Sequence, residues 1–193
     1  ERAPEFSGDA PALDLTGALL AGVDLSGSLL DGIWLTEAIL RDADFRGASL
    51  KGANLSLADL TRANMTNMQI AMGGLQEANL RSADLSRSDL RLADLAGADL
   101  CNSTLTSSRL TAANLRECRL LDVEFRQVDL SAATLVDAEL QGADLRYLTL
   151  LGTDFKGADL RRADFTSARP VKAKFRYADL RDATLSHAAL RGA

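Results

Sequence analysis

The sequence predicts an all-β solenoid, a chain wound as a repeating coil around one long core. Three observations carry this. From Leu15 to Leu190, stepping by five, 35 of 36 positions hold Leu, Phe, Met or Ile, and the exception is Pro170. Two residues before these centres sits a small residue, Ala in 22 of the 36 cases. The other three residues of each quintet are mostly polar. On an α-helix a step of five advances roughly 140°, so such leucines would wander around the axis and form no stripe. In a straight strand they would fall on alternate faces. A backbone that bends once per quintet aims every centre inward. The small residue two positions earlier then points the same way, so the polar remainder faces water.

Thirteen quintets carry the full triplet Ala-(Asp/Asn)-(Leu/Phe/Met), among them Ala43-Asp44-Phe45, Ala58-Asp59-Leu60, Ala83-Asp84-Leu85, Ala143-Asp144-Leu145 and Ala163-Asp164-Phe165. With these triplets, residues 13–192 resemble the pentapeptide-repeat proteins, whose consensus is A(D/N)LXX. The resemblance implies a right-handed quadrilateral β-helix with one quintet per side and four per coil. Thirty-six quintets would make nine coils, stacked at strand spacing into a rod of roughly 43 Å. The expected organisation is an N-terminal arm or cap over 1–12 and the pentapeptide-repeat β-helix over 13–193.

Residues 1–12 lie outside the register, and Pro4, Gly8 and Pro11 oppose a regular element there. Phe6 either plugs the open first coil or belongs to a frayed arm. The chain begins Glu1-Arg2-Ala3-Pro4 without Met and is read as a piece of a longer or processed protein. Two quintets depart from the consensus. Gly73 and Gly74 fill both the small and the acidic slot, which predicts a distorted side or bulge. Pro170 has no N–H to give to a ladder, which predicts a bent side between intact coils.

The core is ample, since each buried Leu or Phe contributes roughly 1.5–3 kcal/mol, and neither a metal nor a disulfide is required. Cys101 follows a centre and should point outward. Cys118 lies two before a centre and should point inward, so the two are read as unpaired thiols and the compartment stays open. The net charge of −5, from 27 acids and 22 bases, does not favour direct nucleic-acid binding. No apolar run is long enough to span a bilayer.

Three surfaces stand out when residues twenty apart are stacked. Asp24, Asp44, Asp84, Glu124, Asp144 and Asp164 form an acidic column, read either as a stripe imitating a DNA backbone or as turn residues accepting backbone hydrogen bonds. The second reading is favoured, because the same types fill this slot on other sides and Arg46, Arg87, Arg126 and Arg146 interrupt the column. A second side carries Leu29, Met72, Leu92, Leu151 and Val171 in outward slots, a candidate interface. At the start, Leu19, Leu29, Trp34 and Ile39 occupy the slot usually given to Asp or Asn. Cover by residues 1–12 or by a preceding domain is the favoured account for Leu19, Trp34 and Ile39, and a partner site is the alternative.

Catalysis finds little footing. The lone His187 sits in an outward slot of the last coil, no nucleophile–base set or phosphate loop is present, and no cofactor or metal is indicated. The expectation is a non-catalytic interaction module presenting flat faces to a protein partner, alone or as the repeat domain of a larger bacterial protein. The open end and the apolar side offer routes to an end-to-end or face-to-face homodimer. The alternative, from one branch of the resembled family, is a DNA-mimicking protector of DNA gyrase.

Overall fold

The computed structural model describes residues 12–193; the predicted arm, Phe6 included, lies outside the described residues except for Ala12. The chain is a right-handed quadrilateral β-helix. In each quintet the centre and the small residue point inward. The residue between them lies on the wall and pairs in parallel with the residue twenty positions on, as in Asp14 with Trp34 and Leu19 with Ile39. The next two residues turn the corner. Four walls follow: wall 1 begins at Asp14, wall 2 at Leu19, wall 3 at Asp24 and wall 4 at Leu29.

One hydrogen-bond scheme repeats along the rod, interrupted at residues 122–130. The centre N–H donates to the next coil's wall carbonyl (Leu15 to Trp34, 2.7 Å), and the second corner residue donates likewise (Gly17 to Thr36, 2.8 Å). The wall N–H donates back to the preceding coil (Asp44 to Val23, 2.9 Å). A fourth bond closes the corner, as in Ala18 N–H to the Leu15 carbonyl at 3.0 Å. The second corner residue is always left-handed, at φ 67° for Gly17, 59° for Glu37 and 59° for Leu92. This pattern fits a type II turn, which explains the recurring glycine there.

The core is one continuous column, with Leu35, Leu55, Leu90 and Leu145 fully buried. Side chains twenty apart stack. Phe155 and Phe175 lie face to face at 5.2 Å, with Phe165 edge-on to both. Polar residues in the small slot mostly bond inside the column: the Ser88 hydroxyl donates to the Met65 carbonyl, and Thr153 Oγ1 to that of Leu130, while Ser103 Oγ has no partner among the described residues.

Three expectations need correction. Gly73 and Gly74 leave the wall regular: Gly74 pairs with Asn54 and Asp94, and both glycine N–H groups are bonded. The small slot shrinks to glycine because a Cβ on Gly73 would lie 2.4 Å from Cγ1 of Ile70. Pro170 bends nothing. Arg169 still pairs with Thr149, and the Pro170 carbonyl closes its corner with Ala173. Only the bond toward Ala189 in the last coil is lost, because proline has no N–H. Cys101 points outward yet is buried, at 3% exposure. It occupies the first corner slot between Arg81 and Leu121, twenty residues away on either side, and their longer side chains cover it. Cys118 points inward as expected, and both thiols are free.

Candidate functional site

Wall 3 brings the predicted acidic column together, and its geometry is that of turn chemistry. Asp24, Asp44, Asp84, Asp144 and Asp164 each accept a hydrogen bond from the backbone N–H two residues on, at 2.8–3.2 Å. Arg46 Nε also donates to Asp44, and Arg146 makes paired bonds to Asp144. These bonds from the neighbouring arginines hold the Asp44 and Asp144 carboxyls below the usual carboxylate range. The same Asp–Arg arrangement recurs on other walls, at Asp89–Arg91, Asp159–Arg161 and Asp179–Arg181. Wall 3 is therefore a row of turns capped by ionised aspartates, with Arg46 and Arg146 pairing Asp44 and Asp144. Glu124 lacks that local bond and is exposed.

The apolar residues separate into groups. Met72 and Leu92 follow wall 4 at the corner leading to wall 1, stacked on adjacent coils and 66% and 59% exposed. With Ala71, Arg91, Thr111 and Ala112 they line a shallow hollow of about 400 Å³. Leu151 and Val171 lie farther along the same corner, while Leu29 stands alone on wall 4 at the first coil. At the start, Leu19 and Ile39 pair on wall 2, with Leu19 83% exposed. Trp34 is on wall 1 and half exposed. The four residues grouped at the first coils thus face three directions, because successive quintets occupy successive walls.

The sequence profile described as pentapeptide repeats matches in 8 copies, over residues 30–67, 75–111, 108–146 and 138–169, more than half of the chain. The chain belongs to the pentapeptide-repeat family. Among solved structures it is similar to HetL, a pentapeptide repeat protein involved in heterocyst differentiation regulation from the cyanobacterium Nostoc sp. strain PCC 7120. Identity is 27%, TM-score 0.63, and the match covers 92% of this chain and 86% of HetL. It is also similar to trypsin-treated QnrB1, a plasmid-mediated fluoroquinolone resistance protein, at 20% identity and TM-score 0.43, over 90% of this chain and 91% of that one. No curated protein sequence matches the chain. No helix among the described residues is long and apolar enough to cross a membrane.

The pentapeptide-repeat rod has one feature that sequence reading missed. Between residues 122–130 and the coil below, the ladder opens. Leu105 and Ser107 donate to Glu124 and Arg126 as the scheme requires, but the Phe125 and Gln127 N–H groups have no backbone partner, and Glu124 and Asp144 do not pair. The gap is a cleft of about 680 Å³ whose mouth is set by Glu124, Arg126, Asp144, Arg146 and Tyr147. The cause lies inside. The small slots here hold Val123 and Val128, and Leu148 sits directly below Val128; elsewhere in this column the slots hold Ala or Ser, except Met68, which lies between Ala48 and Ser88. Bulk in two stacked small slots, beside the Phe125 ring, overfills the section and parts the wall.

Proposed function

We propose that this pentapeptide-repeat protein is a non-catalytic interaction module whose flat walls and corners meet a protein partner. The observation that supports this most is the corner at Met72 and Leu92. There two large apolar side chains stand in water on a backbone whose Met72 and Leu92 N–H groups bond to the next coil, with small Ala112 and Ala132 continuing the strip. Exposed apolar surface on a rigid frame costs little conformational entropy to cover, which favours docking. HetL's regulatory role is compatible with action through contacts.

The DNA-mimic alternative draws less support. The wall 3 aspartates are bonded to backbone N–H groups, and Arg46 and Arg146 offset two of them. A gyrase supercoiling assay separates the two readings: unchanged supercoiling at micromolar protein removes the mimic. The test of the main reading is affinity capture with the wild type beside the Met72→Asp/Leu92→Asp variant, from the cells that make the protein. Both sites are exposed, so the variant should melt like the wild type and lose specific partners. Identical capture by the two proteins contradicts the reading.

A further inference from the structure

Charge is unevenly distributed along the rod. Residues 12–40 contain Asp14, Asp24, Asp31 and Glu37 and no base. Residues 156–176 contain Lys156, Arg161, Arg162, Arg169, Lys172, Lys174 and Arg176 against Asp159 and Asp164. On wall 1 the first coils carry Asp14 and Glu37 and the last carry Lys156, Lys174 and Arg176, with Asp137 and Asp154 before them. Lys174 bonds Asp154 at 3.2 Å and leaves Lys156 and Arg176 without an acidic partner on this wall, while the middle holds Gly74, Ala96 and Gly97.

We propose that wall 1 binds wall 1 of a second copy, with the two rods antiparallel about a two-fold axis through the coil of Ala96. This deepens the interaction-module reading and rests on it. A two-fold axis lying in the interface and perpendicular to the rods reverses the order of coils but keeps each column opposite itself. Coil one then faces coil nine, and Asp14 meets Lys174. Thr16 meets Arg176, and Gly17 leaves room for Tyr177, whose ring is covered by the Arg176 guanidinium at 4.7 Å. On the next level Lys156 approaches Glu37. Nearer the axis Gln76 faces Arg116, which lies beside the facing Glu77 and Glu117. At the axis Asp94 meets its own copy. Its carboxylate already accepts bonds from Gln76, Asn114 and the Ala96 N–H, so that meeting is partly offset. The contact is isologous and closes at two copies.

Nine coils at strand spacing give a wall roughly 43 Å long. A single narrow wall buries less than a standard interface of about 800 Å² per partner, so the dimer is weak and depends on its charges. Salt should therefore dissolve it, because screening shortens to about 3 Å at 1 M ionic strength against roughly 10 Å at 0.1 M.

The test is sedimentation equilibrium of the protein at about 0.05 M and about 1 M salt, with Trp34 emission as a second readout because this single tryptophan lies on wall 1. A dimer at low salt that dissociates at high salt, with Trp34 emission moving to the red, is expected. Asp14→Lys and Lys174→Asp should each weaken association at least about tenfold, and the double swap should restore it, since the two sites meet only across antiparallel copies. Ala96→Arg sets two like charges on the axis and should give a monomer. Its slot accepts arginine in the next coil, at Arg116, so folding is not in question. A monomer at low salt, an Ala96→Arg protein that still dimerises, or single swaps without effect overturns the proposal. A monomer leaves the interaction-module reading standing, since that is judged by the Met72 and Leu92 variant.

Discussion

At Gly73 the small slot loses its methyl group because Ile70 has taken the space. Ile70 is the one β-branched centre in the rod, and its Cγ1 would lie 2.4 Å from a Cβ at residue 73. Gly73→Ala should cost about 1–3 kcal/mol by overpacking, and Ile70→Leu alone less than about 1.5. The double variant restores the ordinary Leu–Ala pair, so the two costs should cancel in part; additive losses in denaturant melts would contradict this. Cys118 permits a different test. Burial pushes its thiol up to about 12, and its Sγ lies 3.0 Å from the Leu95 carbonyl. The folded value is above the unfolded one near 8.5, so the neutral thiol's contribution is complete below pH 8.5 and is lost as pH rises toward 12. The wild type should therefore lose stability relative to Cys118→Ala by about 1.4 kcal/mol per pH unit above 8.5. Parallel curves for the two proteins would show that the thiol is not buried.

At the scale of one coil, the parted wall inverts the usual effect of truncating a buried side chain. Leu90→Ala, in an intact coil, should cost about 2–5 kcal/mol. Leu148 is nearly as buried, at 4% exposure, but it is stacked directly beneath Val128, whereas the large Met68 in the same column lies between Ala48 and Ser88. Leu148→Ala relieves that crowding and lets the Phe125 and Gln127 N–H groups regain their carbonyls, so its cost should fall below about 1 kcal/mol. A loss as large as that of Leu90→Ala would mean that crowding is not what opens the wall. The coil itself was legible in the sequence, because the period of five and the inward alanine leave no other regular solution. The opening was not, because it depends on which residues lie twenty apart, and a period of five fixes four sides only through the family resemblance. The same stacking hides Cys101 beneath Arg81 and Leu121, and it scatters Leu19, Leu29 and Trp34 over separate walls.

Over the whole molecule, aspartates at the wall positions are linked to acid stability. Bonds from Thr16 hold Asp14 below its ordinary range, bonds from Ser26 do so for Asp24, and the Arg91 guanidinium does so for Asp89. Arg161 and Gln141 lower Asp159 against the effect of burial. Folded values below the unfolded value near 3.9 mean that this stability is complete above about pH 4 and is lost as pH falls through the lower folded values. The melting temperature should be level from about pH 8 to 5 and fall steeply below 4. A decline beginning near pH 6 would require other groups.

The central claim is that residues twenty apart share a wall and bond along it, and residue-resolved amide hydrogen exchange tests it most directly. The account predicts slow exchange at Leu55, Leu75, Leu95 and Leu105, which donate to Gly74, Asp94, Asn114 and Glu124. Protection should recur every five residues and fail at Phe125 and Gln127. Unbroken protection over helix-length stretches, or fast exchange at Leu75 and Leu95, would contradict it.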